Sequence, residues 1–222
     1  MVIVDSALKP SQSWQKLLQQ HRAIAVIRTD SIEEGINMAK AVAAGGMKIV
    51  EITWNSHQPA NIIQQLKQDL PECIIGTGTI LTLEDLEKAI AAGIQFCFTP
   101  HVHQTLMKTA IDHHIPIIPG ALSPTEIITA WQGGASCVKV FPVQAIGGIA
   151  YIKGLQGPLG SIPLIPTGGV TLDNAAYFIE AGAIAVGLSS QLFPHHALKH
   201  QEWNLITQQA ELLMKRLSAF RQ

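Results

Sequence analysis

The stretch Ser136-Cys137-Val138-Lys139-Val140-Phe141-Pro142 places a single lysine in the middle of an apolar run. Gly133-Gly134 precedes the run and Pro142 ends it, as turn residues do around a short interior strand. Burial disfavours the charged form of a lysine, and the neutral amine that results attacks carbonyl groups. The alternative is a lysine at a strand end whose ammonium group reaches water or pairs with a carboxylate. The run therefore predicts a buried strand and makes Lys139 a candidate nucleophile.

Further apolar runs alternate with longer stretches that have helical periodicity. The predicted strands are Ala23 to Ile27, Lys48 to Thr53, Ile74 to Gly76, Phe96 to Thr99, Ile115 to Ile118, Cys137 to Phe141, Leu164 to Pro166 and Ala183 to Val186. Strands that are apolar throughout, each followed by a helix, indicate a parallel sheet that is covered by helices. Eight such units predict an α/β fold of the (β/α)8 TIM-barrel type, with an open doubly wound sheet as the alternative.

The helical stretches begin at residues that cap helix N-termini and precede acidic side chains. These predicted caps are Ser31, Thr82, Ser123 and Thr171. The segment Ser11 to Gln20 is predicted as an added N-terminal helix, and a last helix is expected from Gln201 to Phe220. Because no Pro/Ser-rich linker or low-complexity segment interrupts the alternation, residues 1–222 are predicted to form one TIM-barrel domain.

Composition narrows the class of function. The chain has 222 residues, of which 47% are hydrophobic and 14% charged, so it can bury a large core. A net charge of −1 gives no support for a nucleic-acid partner, and small-molecule chemistry is expected instead. The cysteines Cys73, Cys97 and Cys137 suit neither a disulfide framework nor a zinc motif. Without a signal-peptide pattern or a membrane-spanning apolar stretch, the protein is expected to be cytoplasmic and to have no membrane partner.

A second ionisable residue, Glu51, lies inside the second predicted strand. Strand alternation predicts that Glu51, Thr53 and Asn55 point to the same side. In a (β/α)8 barrel the chemistry lies at the carboxyl ends of the strands. A carboxylate within reach of an imine on Lys139 could carry protons to and from a substrate. The alternative is that Glu51 and Lys139 form a structural ion pair.

Segments rich in glycine and hydroxyl groups follow three predicted strands. They are Gly76-Thr77-Gly78-Thr79 after the third, Pro166-Thr167-Gly168-Gly169-Val170 after the seventh and Gly187-Leu188-Ser189-Ser190 after the eighth. Backbone N–H groups and Thr79 could approach an anion at the first of these segments. Loops after strands 7 and 8 of such barrels often bind phosphate at helix N-termini. Phosphate binding is therefore expected there, unless the glycines serve only to allow tight connections.

The nine histidines do not form a recognisable metal site. The pairs His113-His114 and His195-His196 cannot share a helix face, and no carboxylate or cysteine spacing completes a ligand set. No metal ligand is therefore predicted. His101 and His103, after the fourth predicted strand, are minor candidates for substrate contact.

In order along the chain, these motifs resemble the class I aldolases that cleave 2-keto-3-deoxy-6-phosphogluconate (KDPG). That family includes aldolases for 4-hydroxy-2-oxoglutarate (KHG) and for 2-keto-3-deoxy-6-phosphogalactonate. The resemblance runs from Ala23 to Phe193 and includes Pro119-Gly120, Ser123-Pro124-Thr125-Glu126 and Gly147-Gly148. It implies a homotrimeric barrel that works without metal or other cofactor. The implied partners are a phosphorylated keto sugar acid and pyruvate.

By position, the resemblance implies that Lys139 forms the Schiff base and that Glu51 is the general acid/base. The substrate-binding residues that it implies are Asn55, Thr79, Thr167, Gly168, Gly169 and Ser189. Among these, Thr79 would bind the pyruvyl carboxylate, whereas Gly168, Gly169 and Ser189 would bind phosphate. The implied lyase reaction cleaves KDPG to pyruvate and glyceraldehyde 3-phosphate, a step of the Entner-Doudoroff pathway. A second implied reaction cleaves KHG to pyruvate and glyoxylate.

Two departures concern the substrate. Gluconate-specific members commonly have an arginine at the position of Asn55, and Trp54-Asn55-Ser56 resembles the galactonate branch, as does Thr99-Pro100-His101-Val102-His103. Leu188 occupies a place where a glycine is usual. The gluconate substrate is expected because Pro166-Thr167-Gly168-Gly169 resembles that branch. The alternatives are the galactonate epimer, a non-catalytic barrel that binds a phosphate ligand, and a phosphosugar isomerase or epimerase.

Overall fold

Eight parallel strands form a nearly closed barrel in the computed structural model, which describes residues 10–219. The strands are β1 (Ala23–Ile27), β2 (Ile49–Thr53), β3 (Ile74–Gly78), β4 (Cys97–Thr99), β5 (Ile117–Ala121), β6 (Val138–Val140), β7 (Leu164–Pro166) and β8 (Val186–Leu188). Each strand from β1 to β6 pairs with the next, and β8 pairs with β1. A parallel bridge between Thr167 and Gly187 joins the remaining edges. The predicted (β/α)8 barrel is confirmed.

Helices surround the barrel. They are α1 (Pro10–His21), α2 (Ile32–Ala44), α3 (Pro59–Asp69), α4 (Leu83–Ala91), α5 (Gln104–Asp112), α6 (Pro124–Gln132), α7 (Ile149–Leu159), α8 (Ala175–Glu180), α9 (His195–Lys199) and α10 (Trp203–Ser218). The predicted N-terminal helix is α1. The last predicted helix corresponds to α10, and its predicted end at Phe220 lies outside the described residues. No helix among residues 10–219 is long and apolar enough to cross a membrane.

Three of the four predicted caps open helices as expected. The side chains of Ser31 and Thr82 accept hydrogen bonds from backbone N–H groups in the first turns of α2 and α4, and Ser123 forms a capping box with Glu126 at α6. Thr171 differs, because its hydroxyl accepts from the Asn174 N–H while the Asn174 side chain accepts from the Thr171 N–H. Because of this reciprocal turn, α8 begins at Ala175 and not directly after Thr171.

Two strands extend into segments that were predicted as loops. β3 was predicted to end at Gly76 and continues to Gly78, and Gly187 and Leu188 lie within β8. A Cβ atom at Gly76 would lie 2.6 Å from the ring of Phe96. These glycines therefore make room for neighbouring side chains, although glycines at such places are typical of turns. For the same reason the prediction that β8 ends at Val186 was wrong.

The barrel interior is a separate apolar cluster, distinct from the larger one between the strands and the outer helices. Side chains alternate along each strand, so Ile49 of β2 and Cys137 before β6 face inward. Glu51 comes two residues after Ile49, and Lys139 comes two residues after Cys137. Both side chains therefore also face the barrel interior. At the N-terminal end of the barrel, Trp14 of α1 stacks on Phe96 with ring centroids 4.8 Å apart. The fold thus closes one end of the barrel with aromatic rings and directs two ionisable groups toward the other.

Candidate active site

Lys139 lies at the centre of β6, between Gly120 of β5 and Ile165 of β7. Its side chain is almost buried, with 7% exposure. The Nζ atom lies 5.6 Å from the ring centroid of Phe98 and 4.9 Å from that of Phe141. None of the ion pairs found among residues 10–219 includes Lys139. The lysine is therefore neither a surface residue nor one half of a direct ion pair.

Glu51 is the second buried ionisable group, with 1% exposure. Its Oε1 atom has no hydrogen-bond partner among the described residues. Burial raises the pKa of the Glu51 carboxyl group, and the positive charges of Lys139 and Arg28 oppose that rise in part. A carboxyl group of this kind holds its proton at higher pH than an exposed glutamate does. Glu51 is thus suited to give and take protons at a higher pH than an exposed glutamate.

Gly78 of β3 makes the buried position of Glu51 possible. A Cβ atom at Gly78 would lie 1.7 Å from Oε1 of Glu51, which no side chain could tolerate. The absence of a side chain at Gly78 therefore leaves room for the carboxyl group of Glu51. Thr79, the residue after Gly78, remains a candidate for contact with a ligand.

A cavity of about 330 Å³ opens at the carboxyl ends of the strands. The predicted site residues that line it are Glu51, Thr79, Lys139, Thr167, Gly168, Gly169 and Ser189. Asn55 is exposed and does not line the cavity, so the structure does not bring it together with the others. The barrel thus brings residues of β2 and β6 together with residues that directly follow β3, β7 and β8 around one space.

Thr79 has an unusual backbone conformation, with φ of +62°. A β-branched residue rarely adopts the left-handed region, and such strain is often found at functional sites. The neighbouring loop helps to hold it, because the Trp54 N–H donates to the Gly78 carbonyl at 2.7 Å. The conformation places Thr79 at the wall of the cavity.

The loops after β6 and β7 are joined by backbone hydrogen bonds. The N–H groups of Val143 and Gln144 donate to the carbonyls of Thr167 and Gly168 at 3.0 and 3.1 Å. Gly168 and Gly169 have φ of +81° and +94°. No backbone hydrogen bond among the described residues uses the N–H of Gly168 or Gly169, so both can donate to an anion. This arrangement fits the expected phosphate loop.

Arg28 is a cavity residue that sequence reasoning missed. It follows β1 directly, lines the cavity with Glu51 and lowers the pKa of that carboxyl group through its charge. Its place at the carboxyl end of a predicted strand was the available signal. By contrast, His101 and His103 do not line the cavity. The His103 ring instead accepts a hydrogen bond from the Leu106 N–H and caps α5.

Within residues 10–219, no group of three or more His, Cys, Asp or Glu side chains is arranged to hold a metal ion. The cavity offers an amine, a carboxyl group, a guanidinium group and backbone donors. These groups suit covalent catalysis on a small anionic carbonyl compound.

Comparisons with known proteins show the family of the chain. The sequence model of the family "KDPG and KHG aldolase" matches residues 15–209. A 2-dehydro-3-deoxy-phosphogluconate aldolase of Treponema pallidum (strain Nichols) is 31% identical over 190 residues, which cover 86% of this chain and 90% of the relative. The crystal structure of KDPG aldolase from Legionella pneumophila, with pyruvate captured as a covalent carbinolamine, has a TM-score of 0.83 and 27% identity, covering 93% of this chain and 98% of that one.

A further solved structure, described as native KDPGal, is 32% identical with a TM-score of 0.81. The match covers 89% of this chain and 95% of that chain. Since the family model spans most of the sequence and the relatives match over most of their length, the chain belongs to the KDPG and KHG aldolase family.

Proposed function

We propose that the protein is a class I aldolase that cleaves KDPG to pyruvate and glyceraldehyde 3-phosphate, with KHG as a second substrate. The observation that carries this proposal is that Lys139 and Glu51 both line one cavity. Lys139 is nearly buried between two aromatic rings, and Glu51 is a buried carboxyl group with a raised pKa. A binding barrel or an isomerase would have no use for an amine in that position.

In this mechanism the Nζ atom of Lys139 attacks the C2 carbonyl and forms a carbinolamine. Glu51 donates the proton with which the C2 oxygen leaves as water, and a protonated imine remains. The Glu51 carboxylate then accepts the proton of the C4 hydroxyl while the C3–C4 bond breaks. The electron pair of the C3–C4 bond moves toward the imine and forms an enamine. The aldehyde leaves, and Glu51 returns a proton to C3, which regenerates the protonated imine. Water then adds to C2 and the C2–N bond breaks to give pyruvate and free Lys139, while the proton released in this step returns to Glu51.

The two charged ends of the substrate would bind on opposite sides of Lys139. We place the phosphate on the loops after β7 and β8, with Thr167, Gly168, Gly169 and Ser189 as its ligands. We place the pyruvyl carboxylate at Thr79, with Arg28 as its positively charged partner. Arg28 then supplies the charge that Asn55 lacks. Two anchors would hold the scissile bond above the amine and make the reaction effectively intramolecular.

Further parts of the proposal are a homotrimer in the cytoplasm and a place in the Entner-Doudoroff pathway. Exposed leucines support a subunit contact near the cavity, since Leu81 and Leu83 are 54% and 39% exposed in the loop after β3 and the start of α4. Sedimentation equilibrium would test the trimer directly.

The deciding experiment is incubation with pyruvate and borohydride, followed by mass spectrometry and peptide mapping. We expect a reduced adduct on Lys139 and none on a Lys139→Ala protein. A Lys153→Ala variant is the matched control, because Lys153 is an exposed lysine on α7 and its loss should leave the adduct intact. Full retro-aldol activity in folded Lys139→Ala protein would contradict the mechanism.

The stereochemistry at C4 needs a separate measurement. The galactonate epimer is the alternative substrate, because Trp54-Asn55-Ser56 resembles that branch of the family. We expect a higher kcat/KM with the gluconate compound when both epimers are compared under the same conditions. A preference for the galactonate compound would keep the mechanism and change the substrate.

A further inference from the structure

Three buried residues with hydroxyl side chains lie where β1 and β2 end, and none of them has a role in the mechanism above. Thr29, Thr53 and Ser56 are 3%, 1% and 8% exposed. The Ser56 Oγ atom lies 3.1 Å from Oγ1 of Thr53 and accepts a hydrogen bond from the Thr29 N–H at 3.3 Å. Ser56 therefore connects the loop after β1 with the end of β2.

Thr53 is the member of this cluster that borders the ligand space. It lines the cavity together with Arg28 and Glu51, whereas Thr29 and Ser56 do not. The geometry allows either Thr53 or Ser56 to donate in the bond between them. When Ser56 donates, the Thr53 O–H is free to donate into the cavity. Because a buried donor without a partner is unfavourable, that arrangement favours a ligand that accepts a hydrogen bond.

Ser56 and its neighbour also fix the backbone beside Arg28. The Thr29 N–H donates to Ser56, and the Thr29 carbonyl accepts from the His57 N–H at 2.9 Å. The Thr29 side chain donates to Glu34 at 2.7 Å. Both backbone polar groups of the residue after Arg28 are thus held by the loop that follows β2. A substitution at Ser56 would therefore affect the position of Arg28 as well as that of Thr53.

If the proposed aldolase function holds, we infer that Thr53 is an additional contact for the substrate carboxylate and that Ser56 is the positioning residue for it. Ser56 directs the Thr53 O–H into the cavity and keeps Arg28 at the cavity wall. A carboxylate only accepts hydrogen bonds, so a hydroxyl donor and a guanidinium group complement it. The phosphate end lies on the loops after β7 and β8 and does not depend on this cluster.

The test uses three variants of the full chain and measures the pyruvate concentration that gives half-maximal borohydride adduct. Thr53→Val removes the hydroxyl at nearly constant volume, and we expect the half-saturating concentration to rise about tenfold, as loss of one hydrogen bond to a charged group does. Thr53→Ser should restore it to within about twofold of wild type, since it restores the donor. Ser56→Ala should raise it by about three- to tenfold.

Two controls separate a role in carboxylate binding from general damage. Thr99→Val removes another buried hydroxyl at the same end of the barrel, one that donates to the His101 carbonyl and does not line the cavity. It should leave pyruvate saturation unchanged. Inhibition by inorganic phosphate should be the same in wild type and Thr53→Val, because phosphate binds at the other end.

Wild-type saturation in folded Thr53→Val protein would overturn the inference, and so would equal losses of pyruvate and phosphate affinity. Failure of Thr53→Ser to restore saturation would overturn it too. Absence of any adduct on the wild-type protein is a different result, because it would overturn the proposed aldolase function itself.

Discussion

At the scale of single residues, burial of the Glu51 carboxyl group links catalysis to stability. Burial raises the pKa of this group above the ordinary value of 4.5, against the opposing charges of Lys139 and Arg28. Between 4.5 and the raised value, the folded protein holds a proton on Glu51 that the unfolded chain releases. The folded state therefore loses stability as pH rises through this interval.

We expect Glu51→Gln to remove that contribution to the pH dependence of folding. Melting temperatures measured from about pH 5 to pH 8 should fall less steeply for the variant than for wild type. Retro-aldol activity should drop by about 10²- to 10⁴-fold, as loss of a general acid/base does. Glu87→Gln is the control, since Glu87 is exposed on α4 and its variant should follow the wild-type curve. Parallel curves for Glu51→Gln and wild type would exclude this linkage.

The residues of the site were predictable from sequence to the extent that they break a local pattern. Lys139 and Glu51 stand out because each is a charged residue within an apolar strand. Arg28 does not stand out, because a charged residue after a strand is common and its relation to Glu51 depends on the register in which β1 pairs with β2. The contact of Gly78 with Glu51 is likewise invisible in sequence, since it joins two strands.

At the scale of elements, the loops after β6 and β7 behave as one unit. The 3₁₀ turn Val143–Ile146 donates backbone hydrogen bonds to Thr167 and Gly168, and the Asn174 side chain donates to the Gly169 carbonyl at 3.0 Å. The positions of Gly168 and Gly169 are therefore set by the segment that follows the lysine strand. Phosphate binding and imine formation should be separable by a change that displaces only this unit.

Gly169→Ala is such a change. A Cβ atom there would lie 2.3 Å from the Cβ of Gln144, and the residue has φ of +94°, so the loop must shift. We expect KM for the phosphorylated substrate to rise at least about tenfold, the equivalent of about 1.4 kcal/mol, while pyruvate still forms the adduct on Lys139. Steady-state kinetics and borohydride trapping check the two parts.

Gly157→Ala is the matched control, because a Cβ at Gly157 in α7 meets nothing within 4 Å. Alanine should stabilise that helix by about 0.5–1 kcal/mol and leave KM unchanged. If Gly169→Ala weakened pyruvate trapping as much as phosphate binding, the loop would not be a separate phosphate element.

Element boundaries show where local patterns mislead. The bounds of β1 and β7 agree with the sequence prediction because each is a plain apolar run between turn residues. β3 and β8 continue through glycines, since their missing side chains make room for the Phe96 ring and the Thr167 hydroxyl. That need for space arises only once the barrel is closed.

At the scale of the whole molecule, the two ends of the barrel have different tasks. The N-terminal end is closed by α1, where Leu18 is fully buried and Trp14 stacks on Phe96, which in turn meets Phe98 edge to face. The other end carries the buried ionisable groups and the cavity. In such barrels conserved chemistry lies at the carboxyl ends of the strands, and the opposite face serves stability. Changes at the aromatic end should therefore alter folding without altering the reaction.

Trp14→Ala should lower the free energy of unfolding by about 3–5 kcal/mol, as loss of a buried aromatic ring does. Trp14→Phe should cost less, because it keeps a stacking ring and removes an indole N–H that is buried without a partner among the described residues. Denaturant titration measures both. In folded protein of either variant, half-saturation by pyruvate should equal that of wild type, since Trp14 lies at the end of the barrel opposite the cavity. A shift in pyruvate saturation that followed the loss of stability would show that the two ends are coupled.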